Sequence, residues 1–207
     1  MEREANFIMK NPTNLLPIDG KVFYYPSFFS LAESDRFISL LASEIVWKQE
    51  PIFVFGKPVM QPRLTAWYGD EGKEYSYSGI SMKPSLWTPT LFEIKQRIES
   101  FSGIQFNSAL LNQYRDGKDS VGWHRDDEKE LGKNPAIASV SFGATRTFHF
   151  RHTDKTLKTS IELEHGSLLL MTGETQHHWY HSIPKTQKFV GSRINITFRV
   201  IVQTINK

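Results

Sequence analysis

Residues 121–128 read V-G-W-H-R-D-D-E. A histidine and an aspartate stand two apart, with two further carboxylates directly behind them. On an extended segment, side chains two apart project to one side. The imidazole of His124 and the carboxylate of Asp126 therefore converge on one point. A solvated acidic turn, an acid–base pair and part of a metal site all fit this pattern. A metal needs a third ligand from elsewhere, and Q-H-H-W-Y-H-S-I-P at 176–184 offers His177, His178 and His181. Two histidines and one carboxylate leave open positions that suit non-haem Fe(II), which must hold a co-substrate and dioxygen together. A hydrolytic zinc uses the same ligands.

A second chemical pattern lies near the C-terminus, where Ser192–Val200 reads S-R-I-N-I-T-F-R-V. Arg193, Asn195, Thr197 and Arg199 share one face of this alternation, and Ile194, Ile196, Phe198 and Val200 share the other. The apolar face must pack on a core. If the polar face is also buried, two arginines there require anionic partners, and a dicarboxylate would pair with both through bidentate contacts. The alternative is a solvent-facing strand side. Asn112 and Tyr114, also two apart, offer hydrogen-bonding groups on one face of N-Q-Y.

Positioning these groups requires strands. From about residue 104 the pattern predicts strands near 108–115, 136–142, 146–151, 159–164, 167–172, 177–182 and 192–201, separated by Gly, Asp, Asn and Lys clusters. So many short strands in succession imply a sandwich, barrel or jelly roll. Two helices precede them. Ser30-Leu31-Ala32-Glu33 has the form of a capping box, followed by Phe37, Leu40, Leu41 and Ile45 at helical spacing. Thr88-Pro89 opens a second helix with the stripe Leu91, Ile94, Ile98 and Phe101. Edge strands are expected near 52–68 and 74–80.

The 207 residues fit one domain, with 39% hydrophobic and 13% aromatic residues, enough to fold. There are no cysteines, which excludes disulfides, thiolate zinc sites and cysteine nucleophiles. Net charge is +3, compatible with an anionic partner without requiring one. No apolar run suits a membrane span, and the first residues lack a signal-peptide core. A cytoplasmic protein, or a nuclear one in a eukaryote, is expected, with a monomer as the default.

Read together, N-Q-Y-R-D-G-K-D-S-V-G-W-H-R-D-D-E at 112–128, I-A-S-V-S-F-G-A-T-R-T-F at 137–148, H-G-S-L-L-L-M at 165–171, H-W-Y-H-S-I-P at 178–184 and R-I-N-I-T-F-R at 193–199 resemble the AlkB family of Fe(II)/2-oxoglutarate-dependent nucleic-acid dealkylases. The blocks run in order from about Val54 to Arg199. Residues 1–50 carry no such match. The resemblance implies a mainly β fold with N-terminal helices, a double-stranded β-helix of jelly-roll type. It implies a helical extension over about 1–50, a nucleotide-recognition region over about 51–103 and a jelly-roll core over about 104–207. It assigns His124, Asp126 and His181 as iron ligands, leaving His177 and His178 as flanking residues. Asn112, Tyr114, Arg193, Thr197 and Arg199 become 2-oxoglutarate contacts, with Asn195 a lesser one. The implied reaction is oxidative demethylation of 1-methyladenine and 3-methylcytosine in DNA. It uses Fe(II), 2-oxoglutarate and O2 and releases formaldehyde, succinate and CO2.

A methyl group on a base-pairing edge is reached by flipping the base out or by acting on single strands. V-F-G-K at 54–57 resembles duplex-acting members, which implies an intercalating wedge at Phe55, a turn at Gly56 and a phosphate contact at Lys57. By the same resemblance Tyr75 and Tyr77 line the base pocket. Asp127 and Glu128 are acceptors for a base amino group, partners of a neighbouring arginine, or a solvated turn. P-R-L-T-A-W-Y-G at 62–69 also resembles single-strand and RNA-acting relatives. RNA demethylation and a nucleic-acid-binding protein with a vestigial oxygenase site are the competing expectations.

Overall fold

The computed structural model describes residues 12–54, 57–72, 75–77, 80–82 and 84–202. In chain order the first elements are β1 (Lys21–Tyr25), α1 (Leu31–Glu44), β2 (Pro51–Val54), β3 (Lys57–Met60), β4 (Leu64–Gly69), β5 (Tyr75–Tyr77), β6 (Ile80–Met82) and α2 (Pro89–Ser102). There follow β7 (Ser108–Tyr114), β8 (Val121–His124), β9 (Ile137–Gly143), β10 (Arg146–His152), β11 (Lys158–Leu163), β12 (Ser167–Thr172), α3 (Thr175–His178), β13 (Trp179–Ile183) and β14 (Arg193–Arg199).

Both long helices start where their sequence signals place them. In α1 the Ser30 N–H donates to Glu33 Oε2 at 2.8 Å and the Glu33 N–H donates to Ser30 Oγ at 3.3 Å, completing the capping box. In α2 the Leu91 N–H donates to Thr88 Oγ1 at 3.2 Å ahead of Pro89, and Gly103 ends the helix in the left-handed region at φ 70°. Their buried stripes, Phe37 and Leu41 on one and Leu91, Ile94 and Ile98 on the other, cover one face of the larger sheet.

The larger sheet runs β1-β12-β9-β14-β7-β4 and the smaller runs β11-β10-β13-β8, with hairpins β2–β3 and β5–β6 apart from both. The pairings within both sheets are antiparallel, which gives the expected jelly roll. Strands of the larger sheet are apolar on two faces because each face meets a different layer. Along β12, Leu168 and Leu170 join the helix-side core, while Leu169 and Met171 join the core between the sheets. Burying each such side chain contributes about 1.5–3 kcal/mol.

β1 and β8 were not among the expected strands. The strand expected from 177 begins at Trp179, because Thr175–His178 form a helical turn in which Thr175 Oγ1 donates to the Thr172 carbonyl at 2.7 Å. Among the described residues, no helix is long and apolar enough to cross a membrane.

Candidate metal centre and cosubstrate pocket

His124 is the last residue of β8 and stands opposite His181 of β13 in the antiparallel register. Their ring centroids are 4.2 Å apart. Asp126 lies two residues beyond the strand end, and its backbone N–H donates to Gln176 Oε1 at 3.0 Å. The three side chains offer ligand atoms that all lie within 4.8 Å of one another. Each is oriented by a neighbour. His124 Nδ1 is 2.9 Å from the Gly122 carbonyl, so Nδ1–H donates and Nε2 keeps its lone pair. His181 stacks on Phe148 at 5.2 Å, and its buried Nδ1 has no hydrogen-bond partner among the described residues. Arg199 Nη2 donates to Asp126 Oδ1 at 2.8 Å.

The protonation states suit a cation. Burial pushes the His181 imidazole down to about 3, helped by His124 beside it and opposed by Asp126. Burial also lowers His124, against Asp126 and the Gly122 carbonyl. Burial alone would raise Asp126, but Arg199 and the two imidazoles outweigh it and hold the carboxyl below its ordinary range. Two neutral imidazoles and one carboxylate at neutral pH form a ligand set for a divalent transition metal.

The triad opens into a pocket also lined by Asn112, Tyr114, Asn195, Thr197 and Arg199. The polar face of β14 is thus buried, as a dicarboxylate site requires. Asn112 lies opposite Asn195 and Tyr114 opposite Arg193 in the β7–β14 register. Arg193 does not line the cavity wall itself. Its guanidinium lies over the Tyr114 ring at 5.1 Å, with Arg146 5.6 Å from the same ring. Arg193 is 1% exposed, and burial lowers it to about 10, so it stays cationic. Its Nη2 donates to Ser141 Oγ at 2.9 Å, while among the described residues buried Nε and Nη1 meet no acceptor at bonding geometry. Unmatched buried donors cost about 1–3 kcal/mol each, and a carboxylate is the group that would satisfy them. The residues present therefore fit both a metal and a dicarboxylate.

Asn195 lines the pocket while its Nδ2 donates to Ser139 Oγ and the Val140 carbonyl, both at 2.8 Å. Several residues absent from the sequence reading shape the site. Arg63, 5% exposed, donates from Nε to Asn112 Oδ1 at 2.7 Å. Ser139 and Ser141 support the two β14 side chains, and Gln176 holds Asp126. The signal for the serines was their two-residue spacing in the otherwise apolar I-A-S-V-S-F. Arg63 and Gln176 carried no local signal.

The substrate-side expectations are less gathered. Asp127 pairs with Arg125 at 2.7 Å, and Glu128 precedes the 3-10 turn Lys129–Leu131. Lys57 is exposed at the start of β3. Phe55 and Gly56 lie outside the described residues, as do the side chains of Tyr75 and Tyr77, which begin and end β5. On the face of the smaller sheet turned away from His124 and His181, Arg151 lies over Trp123 at 4.4 Å and Arg125 over Tyr180 at 4.7 Å. Trp123 is 43% exposed, so these residues make a cationic and aromatic surface on that face.

A family model described as the 2OG-Fe(II) oxygenase superfamily matches residues 21–199. The chain is 43% identical to the rat "Alpha-ketoglutarate-dependent dioxygenase alkB homolog 3", across 97% of this chain and 70% of the relative. It is 42% identical to the human "DNA oxidative demethylase ALKBH2", across 87% of this chain and 73% of the relative. The first match overturns the expectation that resemblance stops at about residue 50, since 97% coverage reaches well into that region. The solved OsALKBH1 structure shares the fold, with a TM-score of 0.59 at 18% identity over 86% of this chain and 97% of that one. The chain belongs to the AlkB family of the 2OG-Fe(II) oxygenase superfamily.

Proposed function

We propose that this protein is an Fe(II)- and 2-oxoglutarate-dependent dioxygenase that oxidatively demethylates N-alkylated bases in nucleic acid. The observation that carries this reading is the buried His124, Asp126 and His181 cluster opening onto a pocket with buried arginines. With Fe(II), 2-oxoglutarate and O2 bound, the site supplies an oxidation that hydroxylates the N-methyl group, after which formaldehyde leaves the base and succinate and CO2 are released.

In this reading His124, Asp126 and His181 hold the iron. Arg199 keeps Asp126 ionised. Arg193 grips a carboxylate of the cosubstrate with Tyr114 beside it, and Asn112, Thr197 and Arg199 complete the pocket. Asn195 acts on the strand that carries these groups rather than on the ligand. The apolar wall made by Phe148 and Ile183 excludes water and fixes His181. Lys57 offers a phosphate contact to the nucleic acid.

The substrate we favour is DNA bearing 1-methyladenine or 3-methylcytosine, handled by a monomer in the cytoplasm or nucleus. Phe55, followed by Gly56, serves as the wedge, and Tyr75 and Tyr77 serve the base pocket, with Asp127 and Glu128 on the substrate side. RNA is the second reading, supported by P-R-L-T-A-W-Y-G at 62–69. Phe55→Ala separates strand preferences: a wedge predicts loss of duplex activity with single-strand activity kept. Equal retention of both would remove the wedge. A His181→Ala variant that still binds Mn(II) like the wild type would remove the ligand assignment.

A further inference from the structure

Three other ligand-type side chains converge outside the iron triad. Asp19, in the loop before β1, His152 at the end of β10 and His178 at the end of α3 offer ligand atoms that all lie within 4.8 Å of one another. Asp19 Oδ2 is 3.3 Å from His152 Nε2, close to the roughly 3.4 Å between two ligands placed ~2.1 Å from one tetrahedral ion. His152 is 7% exposed, yet among the described residues this Nε2 has no hydrogen-bond partner, because the carboxylate is near it without being aligned to it. Its other nitrogen, Nδ1, lies 3.1 Å from Asp154 Oδ1. In the structure Nδ1 accepts from the Asp154 N–H at 3.4 Å; metal binding at Nε2 requires the ring proton on Nδ1, where the Asp154 carboxylate can accept it instead. A carboxylate behind a histidine is the usual support of a metal-ligating imidazole.

The three residues are held independently. The His152 ring packs edge-on against Trp179 at 5.0 Å, and Trp179 Nε1 donates to the Ile18 carbonyl at 3.1 Å, next to Asp19. The Thr153 N–H donates to the His178 carbonyl at 2.8 Å, joining β10 to α3. The His152 and His178 rings lie 5.9 Å apart and 11° from parallel.

We infer that Asp19, His152 and His178 form a second metal site, for a divalent transition ion that favours imidazole, with Zn(II) the leading fit. The bound ion ties the loop ahead of β1 to β10 and to the α3–β13 segment that carries His181. It is a structural clamp, with three protein ligands and a place left for water.

Zn(II) titration of the full chain by calorimetry tests this, with stoichiometry as the readout. The wild type is expected to take two equivalents. Asp19→Asn and His178→Ala, which alter less buried positions than His152, should each weaken one equivalent at least tenfold and leave the other unchanged. His124→Ala should lose the opposite equivalent and keep this one. Crystals grown with Zn(II) should show anomalous density between Asp19 and His152. A single equivalent in the wild type, or two undiminished equivalents in both Asp19→Asn and His178→Ala, would overturn the second site.

Discussion

Replacing Arg199 by methionine removes the charge that keeps Asp126 ionised while keeping most of the buried stem. The pair is 2.8 Å apart, with side chains 3% and 2% exposed. At an effective dielectric of ~20, that separation corresponds to about 6 kcal/mol of attraction. After desolvation is counted, removing one partner of such a pair costs about 3–5 kcal/mol. For a chain of this size that is a fall in Tm of about 6–20 °C. The pH dependence is more diagnostic. In the wild type the Asp126 carboxyl lies below its ordinary value of 3.8 in the folded state. Its contribution is therefore complete above that value and is lost only as pH falls through the lower folded value. In Arg199→Met, burial governs and raises the carboxyl, so the penalty is largest at neutral pH and relaxes on acidification. The Tm difference between the two proteins should shrink from pH 7.5 to pH 5. Mn(II) affinity, measured without cosubstrate, should fall more steeply with acid in the variant, because the carboxyl must shed its proton to bind. A constant Tm difference and parallel metal-affinity profiles would refute the pairing as the device that ionises Asp126.

Arg193→Met should raise the KM for 2-oxoglutarate about tenfold to a hundredfold, the loss of charged hydrogen bonds worth ~1.5–3 kcal/mol. Its Mn(II) affinity should stay unchanged; steady-state succinate formation and a metal titration check both. Asn195→Ala should lower stability by about 1–3 kcal/mol in a urea melt, through unmatched groups around Ser139 and Val140, with the KM for 2-oxoglutarate within about threefold of wild type. Asp119→Ala should cost about 1–2 kcal/mol, discounted because the partner Arg115 is 46% exposed. Burial would raise Asp119, but hydrogen bonds from Arg115 and the charges of Arg115 and Arg146 lower it. The wild-type advantage should thus be full at neutral pH and disappear as acid melts pass below pH 3.8 toward the lowered folded value.

Much of the centre was legible because its residues lie close in sequence on strands. The H-x-D spacing places His124 and Asp126 together by strand geometry alone. The strict alternation of β14 foretold that Arg193, Asn195, Thr197 and Arg199 share a face. Family likeness assigned His181 to the triad, since spacing left His177, His178 and His181 open. The structure puts His181 opposite His124, while His177 Nε2 bonds Asn134 at 2.8 Å. Burial of the polar β14 face depended on the second sheet, which no local pattern reveals. Arg63 and Gln176 act through contacts 49 and 50 residues away in sequence, and Asp19 meets His152 only through the fold. β1 was missed because it is a five-residue strand at the sheet edge that, among the described residues, pairs with β12 alone.

The central claim is that the three ligands and the buried arginines perform cosubstrate-dependent demethylation. The direct measurement is mass spectrometry of matched oligonucleotides, each with one 1-methyladenine, as single-stranded DNA, duplex DNA and RNA. Each is incubated with Fe(II), ascorbate and O2, with and without 2-oxoglutarate. Loss of the methyl mass only when 2-oxoglutarate is present, abolished in Asp126→Ala, is the predicted result, and the ranking of the three strands names the substrate. An iron-loaded wild-type protein that neither removes the methyl group nor forms succinate would contradict the account.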